Sequence, residues 1–103
     1  MTKNEILFNY RKAIKQAERL EEIAGKIEHL SKVEMAGTIG TLKDAWKSDN
    51  SHLYFSRMGK VQDEIRGDAA SIIKVARSIR TTAESIKRAE LRALEIAKSR
   101  TYR

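Results

Sequence analysis

The chain of 103 residues has no cysteine, no proline, five glycines and six aromatic residues. Without cysteine, disulfides and thiolate chemistry are excluded. His29 and His52 lack a Cys or a third His to complete a zinc site, so neither a metal nor a cofactor is expected. Without proline, nothing forbids very long helices. The aromatics are Phe8, Tyr10, Trp46, Tyr54, Phe55 and Tyr102, too few to line a large pocket. No apolar run approaches the roughly 20 residues that span a bilayer. The opening Met1-Thr2-Lys3-Asn4-Glu5-Ile6 lacks the apolar stretch of a secretory signal peptide. By the general secretory route the chain is expected in the cytoplasm, and the lack of cysteine suits either side of a membrane.

What is present is helical patterning. Hydrophobic residues make up 41% and charged residues 34%, too apolar for a disordered chain and too charged for a thick core. The length predicts one domain. In the first half, apolar or small residues recur at Ile6, Tyr10, Ala13, Ala17, Leu20, Ala24, Ile27 and Leu30, in steps of three and four. Such steps place them on one helix face. The stripe then slips to Met35, Ile39, Leu42 and Trp46. A slip of this kind is a stutter, and Gly37 and Gly40 beside it weaken the helix by about 1 kcal/mol each relative to Ala. The pattern predicts a continuous helix over about 3–46, softened near 33–40.

Lys47-Ser48-Asp49-Asn50-Ser51 reads as a turn, with Asp49, Asn50 or Ser51 as candidate caps. The second stripe runs Tyr54, Met58, Val61, Ile65, Ala69, Ile72, Ala76, Ile79, Ala83, Ile86, Glu90, Ala93 and Ala97. It predicts a second helix over about 52–98 with a frayed basic C-terminal tail. Two long helices joined by a short turn must lie antiparallel, so the fold class is all-α, an antiparallel two-helix hairpin. Leu20, Ile27, Ile65, Ile72 and Ile79 are its candidate interface residues. A lone hairpin has a poor ratio of core to surface, which predicts pairing into a four-helix bundle. Ile73, Leu91, Leu94 and Ile96 flank the main stripe as candidates for that second contact.

The net charge is +7, and its excess lies late in the chain. Residues 74–103 carry nine Lys or Arg against three Glu, a net of +6, whereas residues 1–73 carry twelve against eleven. Some of this suits the helix macrodipole. The rest fits an acidic protein partner or a polyanion. Nucleic acid is disfavoured, because no basic stretch is interleaved with aromatics and no pair of short helices forms a helix-turn-helix. No catalytic arrangement stands out. Ser48, Asp49 and His52 share a polar turn with no oxyanion scaffold, and Glu21-Glu22 reads as a solvated face. The chain is not expected to be an enzyme.

Length, two-helix architecture, Trp46 at the turn and Tyr54 eight residues later resemble the WXG family. These are small helical-hairpin proteins, also described as early-secreted-antigen-like, exported by type VII secretion systems. The resemblance covers nearly the whole chain but rests on few residues. The family's turn reads Trp-x-Gly, whereas this one reads Trp46-Lys47-Ser48, so Ser48 stands at the Gly position. Gly suits a positive φ at a helix end, so Ser48 predicts a turn shifted toward Asp49 or Asn50. The family's export motif is a Tyr with an acidic residue four positions on. Its nearest matches are Ile86 with Glu90 and Leu91 with Glu95, where an aliphatic residue replaces Tyr. Ordinary helix composition explains both pairs as well. The resemblance implies a protein–protein interaction module, secreted without a signal peptide from a cytoplasmic pool. It implies pairing as a homodimer or with a related small helical protein, or with the helical N-terminal domain of a large toxin, and contact with the secretion ATPase. The alternative is a basic helical hairpin that binds nucleic acid or another polyanion.

Overall fold

The computed structural model describes residues 1–46 and 49–101. It is an all-α hairpin. The first arm comprises α1 (Lys3–His29), a π-helical segment (Leu30–Met35) and α2 (Ala36–Ala45). The second arm is the single helix α3 (Asp49–Thr101). Thr2 caps α1: the Glu5 backbone N–H donates to Thr2 Oγ1 at 3.2 Å. Thr2 and Glu5 have the spacing of a capping box. Trp46 ends α2 with φ −122° and ψ 86°, and its N–H still donates to the Leu42 carbonyl at 2.8 Å.

Several boundaries differ from those read in the sequence. The second helix starts at Asp49 rather than near residue 52, so the connection is shorter than Lys47 to Ser51. Ser51 lies inside the first turn of α3 and is buried. The basic C-terminal segment stays helical through Thr101. Arg and Lys at a helix C-terminus favour the macrodipole, which supports that last turn. Tyr102 and Arg103 lie outside the described residues, as do Lys47 and Ser48.

The chain falls into two units, Met1–Leu20 with Lys74–Arg103, and Glu21–Ile73. In the first unit, Ile6 and Ala17 of α1 are buried, as are Ala76 and Ala83 of α3. In the second, Ala24, Ser31 and Ile39 of the first arm are buried, with Ser51, Phe55 and Ala69 of α3. Most buried positions are small. Ala17, Ala24 and Ser31 recur every seven residues, and so do Ala69, Ala76 and Ala83. Bulkier Leu20, Ile27, Ile65, Ile72 and Ile79 are half-buried beside them. Small side chains at a helix contact let the backbones approach, while the larger neighbours close over the flanks.

The stutter takes the form of the π segment. Along the first arm the covered residues are Ile27, Ser31, Met35 and Ile39, three successive steps of four. A steady alternation of three and four would have arrived one residue earlier. The wider π turn absorbs that extra residue and keeps both flanking stretches facing α3. The softening was expected at 33–40, and the departure from α geometry falls at Leu30–Met35. Ser31, fully buried, continues the seven-residue step of Ala17 and Ala24 and takes the place assigned to Leu30, which is exposed.

Candidate interaction surface

The π segment is held from across the hairpin by a reciprocal pair. Ser31 Oγ donates to the Gln62 carbonyl at 2.9 Å, and Gln62 Nε2 donates to the Ser31 carbonyl at 2.6 Å. Each side chain therefore satisfies the other residue's backbone. A buried polar pair of this sort fixes register, because sliding either arm by one residue would break both bonds. The sequence reading placed Val61 in the stripe here. Val61 is exposed, and Gln62 occupies the covered position.

At the turn end, Trp46 and Tyr54 meet edge to face with ring centroids 5.9 Å apart, and Tyr54 meets Phe55 in the same way at 5.8 Å. Trp46 is 55% exposed and Tyr54 47%, whereas Phe55 is 9% exposed. The buried aromatic is thus Phe55, one residue beyond the expected Tyr54. Trp46 and Tyr54 lie outside it, each about half exposed. Ser48, the third residue of the expected turn motif, lies outside the described residues.

In the unit that contains both chain ends, Tyr10 of α1 meets Glu84 and Lys87 of α3. Lys87 Nζ sits 4.1 Å from the Tyr10 ring centre and 3.1 Å from Glu84 Oε2. Arg88 Nε reaches Glu84 Oε1 at 3.2 Å. The Lys87 hydrogen bond holds the Glu84 carboxyl below the usual Glu value against the opposing effect of burial, with further hydrogen bonds from Tyr10 and Arg88. The export-motif candidates are dispersed around α3 here. Ile86 and Glu95 are exposed, while Glu90 and Leu91 are half-buried.

The distribution of exposure on α3 is lopsided. The residues one step before the covered positions Ala76, Ala83 and Glu90, namely Val75, Thr82 and Ala89, are all exposed, as is Ile96. Those four steps after them, Arg80, Lys87 and Leu94, are half-buried. The first arm therefore leans over one side of the α3 stripe and leaves the other open. The stripe assigned Ile86, Ala93 and Ala97 to the core, yet all three are exposed. In the other unit, Ile23, Leu30 and Val33 of the first arm and Leu53 and Val61 of α3 are likewise exposed.

Among the described residues no group of three or more His, Cys, Asp or Glu could hold a metal ion. Nor is any described helix long and apolar enough to cross a membrane. No protein-family model, curated protein or solved structure matches the chain.

Proposed function

We propose that this chain is a non-enzymatic association module whose partner is another helical chain. The observation that carries this reading is the open side of α3, where Val75, Ile86 and Ile96 are each at least half exposed. Exposed apolar residues that recur along one side of a helix suit an interaction site. The hairpin offers one narrow covered seam, and a second helical pair laid on the open side would double it.

Within that class, the resemblance to the WXG family favours type VII secretion, either as a small exported substrate or as an accessory partner of a larger toxin. Supporting it are the hairpin itself and the contact between Trp46 and Tyr54 beside the turn. Deletion tests it in cells that carry the system. Loss of the secretion ATPase should abolish release of the chain, or loss of the chain should abolish release of the toxin. Unchanged release in both deletions would overturn the secretion reading.

A second reading has its own observation. The unit formed by Met1–Leu20 and Lys74–Arg103 carries fourteen Lys or Arg against five Asp or Glu, a net of +9. The unit Glu21–Ile73 carries seven against nine, a net of −2. A polyanion would bind the first. Such binding weakens steeply as salt rises, whereas an apolar helical interface holds.

A further inference from the structure

We infer that the outer side of α1, from Phe8 to Arg19, docks on an anionic phospholipid surface, with the Phe8 ring set into the interface and the cations beside it on the lipid phosphates. The inference rests on the reading of Met1–Leu20 with Lys74–Arg103 as a polyanion-binding unit, and names its ligand and its contact side.

Phe8 is 61% exposed. It lies nine residues before buried Ala17, about two and a half helical turns, so its ring stands on the side of α1 opposite the seam. Lys12, Lys15 and Arg19 follow it in steps of four, three and four, and all three are exposed. Arg11 is exposed on their flank. From Lys3 to Leu20 the helix carries five Lys or Arg against Glu5 and Glu18, a net of +3. Glu5, one turn before Phe8, belongs to the first turn of α1, where a carboxylate suits the macrodipole. Glu18 stands to the side of the row. The seam is made by Ile6 and Ala17 on the opposite side, so the hairpin itself places no demand for a phenyl ring among these cations.

A single exposed ring beside a row of cations suits a lipid interface. Long Lys and Arg side chains lay their apolar stems along such a surface and hold their charges at the phosphates, while the ring enters the acyl boundary. Anionic lipids attract each cation that comes within a Debye length, about 8 Å at physiological salt. Nucleic acid asks for a different surface. Single strands stack on several aromatics in turn, and Phe8 is the one exposed aromatic among the described residues of this unit. Duplex phosphates need the cations alone and would leave the ring in water. No described helix is long and apolar enough to cross a membrane, so the contact is one of α1 lying along the surface. Lys74 and Arg92, each nine residues from buried Ala83, stand on the outer side of α3 and face away from it.

The test uses the full chain and co-sedimentation with vesicles of phosphatidylglycerol mixed with phosphatidylcholine, or of phosphatidylcholine alone, with helicity read by circular dichroism. The chain is expected to bind the mixed vesicles and not the neutral ones. Phe8→Ala should weaken binding about tenfold, with helicity unchanged. Lys12→Gln with Lys15→Gln should weaken it about thirtyfold. The matched pair Lys74→Gln with Arg92→Gln removes the same charge from the outer side of α3 and should weaken it about threefold or less. Phe8→Trp with Trp46→Phe makes residue 8 the only tryptophan, and its emission should shift to the blue on the mixed vesicles. Binding that is indifferent to Phe8→Ala, or equally sensitive to the two charge pairs, overturns the inference. A chain that binds duplex DNA or heparin but not the vesicles also overturns it and leaves the polyanion reading standing. A chain that binds none of them overturns both.

Discussion

Ser31 and Gln62 show how a single polar pair can set the geometry of a hairpin. Both bonds run from a side chain to the opposite backbone, so neither depends on a charged group. Gln62→Ala should cost about 1–2 kcal/mol in urea unfolding, the usual penalty for leaving a part-buried carbonyl without its partner. A neutral result would mean that water takes the place of the amide. At the turn, exposure separates two neighbouring aromatics. Phe55→Ala should cost about 3–5 kcal/mol, because it empties a buried site. Trp46→Ala should cost about 1 kcal/mol or less, since it loses mainly an edge contact with Tyr54. The same urea series measures both, and a Trp46 cost equal to that of Phe55 would contradict the exposed placement. Glu84 supplies the acid dependence. Its carboxyl lies below the ordinary 4.5 when folded. The stabilisation is therefore full above the unfolded value and is lost as the pH falls through the folded one. Acid unfolding of Glu84→Gln should be flatter than that of the wild type below about pH 4.5.

The π segment belongs to the scale of the element, because its cause is a count of residues. One residue too many lies between Ile27 and Ile39 for a regular three–four alternation. Deleting exposed Val33 restores the alternation, keeps Ser31 in place and brings Met35 and Ile39 to the seam in α geometry. The urea midpoint of that deletion should rise, and a lower midpoint would mean that the wide turn itself stabilises the arm. Gly67 is a second lever. It sits in α3 with open space around its Cβ position and no positive φ, so Gly67→Ala should add about 0.5–1 kcal/mol from helix propensity alone. The elements were legible in the sequence because three–four spacing and the lack of proline leave little else for such a chain to form. The phase of the stripes was less legible. Tyr54, Val61 and Ile86 are apolar and correctly spaced, yet the first arm covers Phe55, Gln62 and Lys87 more fully. The stripe read in the sequence matches the covered side over Ile65 to Ala83 and drifts to the open side at both ends, because apolar residues lie on both sides of α3 there. Ser31 was hidden for the complementary reason: hydropathy gives no sign of a buried serine whose partner lies 31 residues away.

At the scale of the whole molecule, two properties bear on the proposed function: an apolar side left uncovered and a charge gathered in one unit. They answer differently to salt. Proposed association through the open side of α3 would hold as salt rises, whereas polyanion binding would be lost. The Trp46 and Tyr54 positions that carry the family resemblance were legible in the sequence, and their contact places them together at the turn. The open side was not, because it depends on how far the first arm leans over α3.

The most direct test of the account is the mass of the purified chain by light scattering across a salt series, with helicity read on the same peak. The account predicts either a helical assembly that persists as salt rises or a chain that is poorly helical until its partner is added. A stable, fully helical monomer at every salt concentration would contradict it.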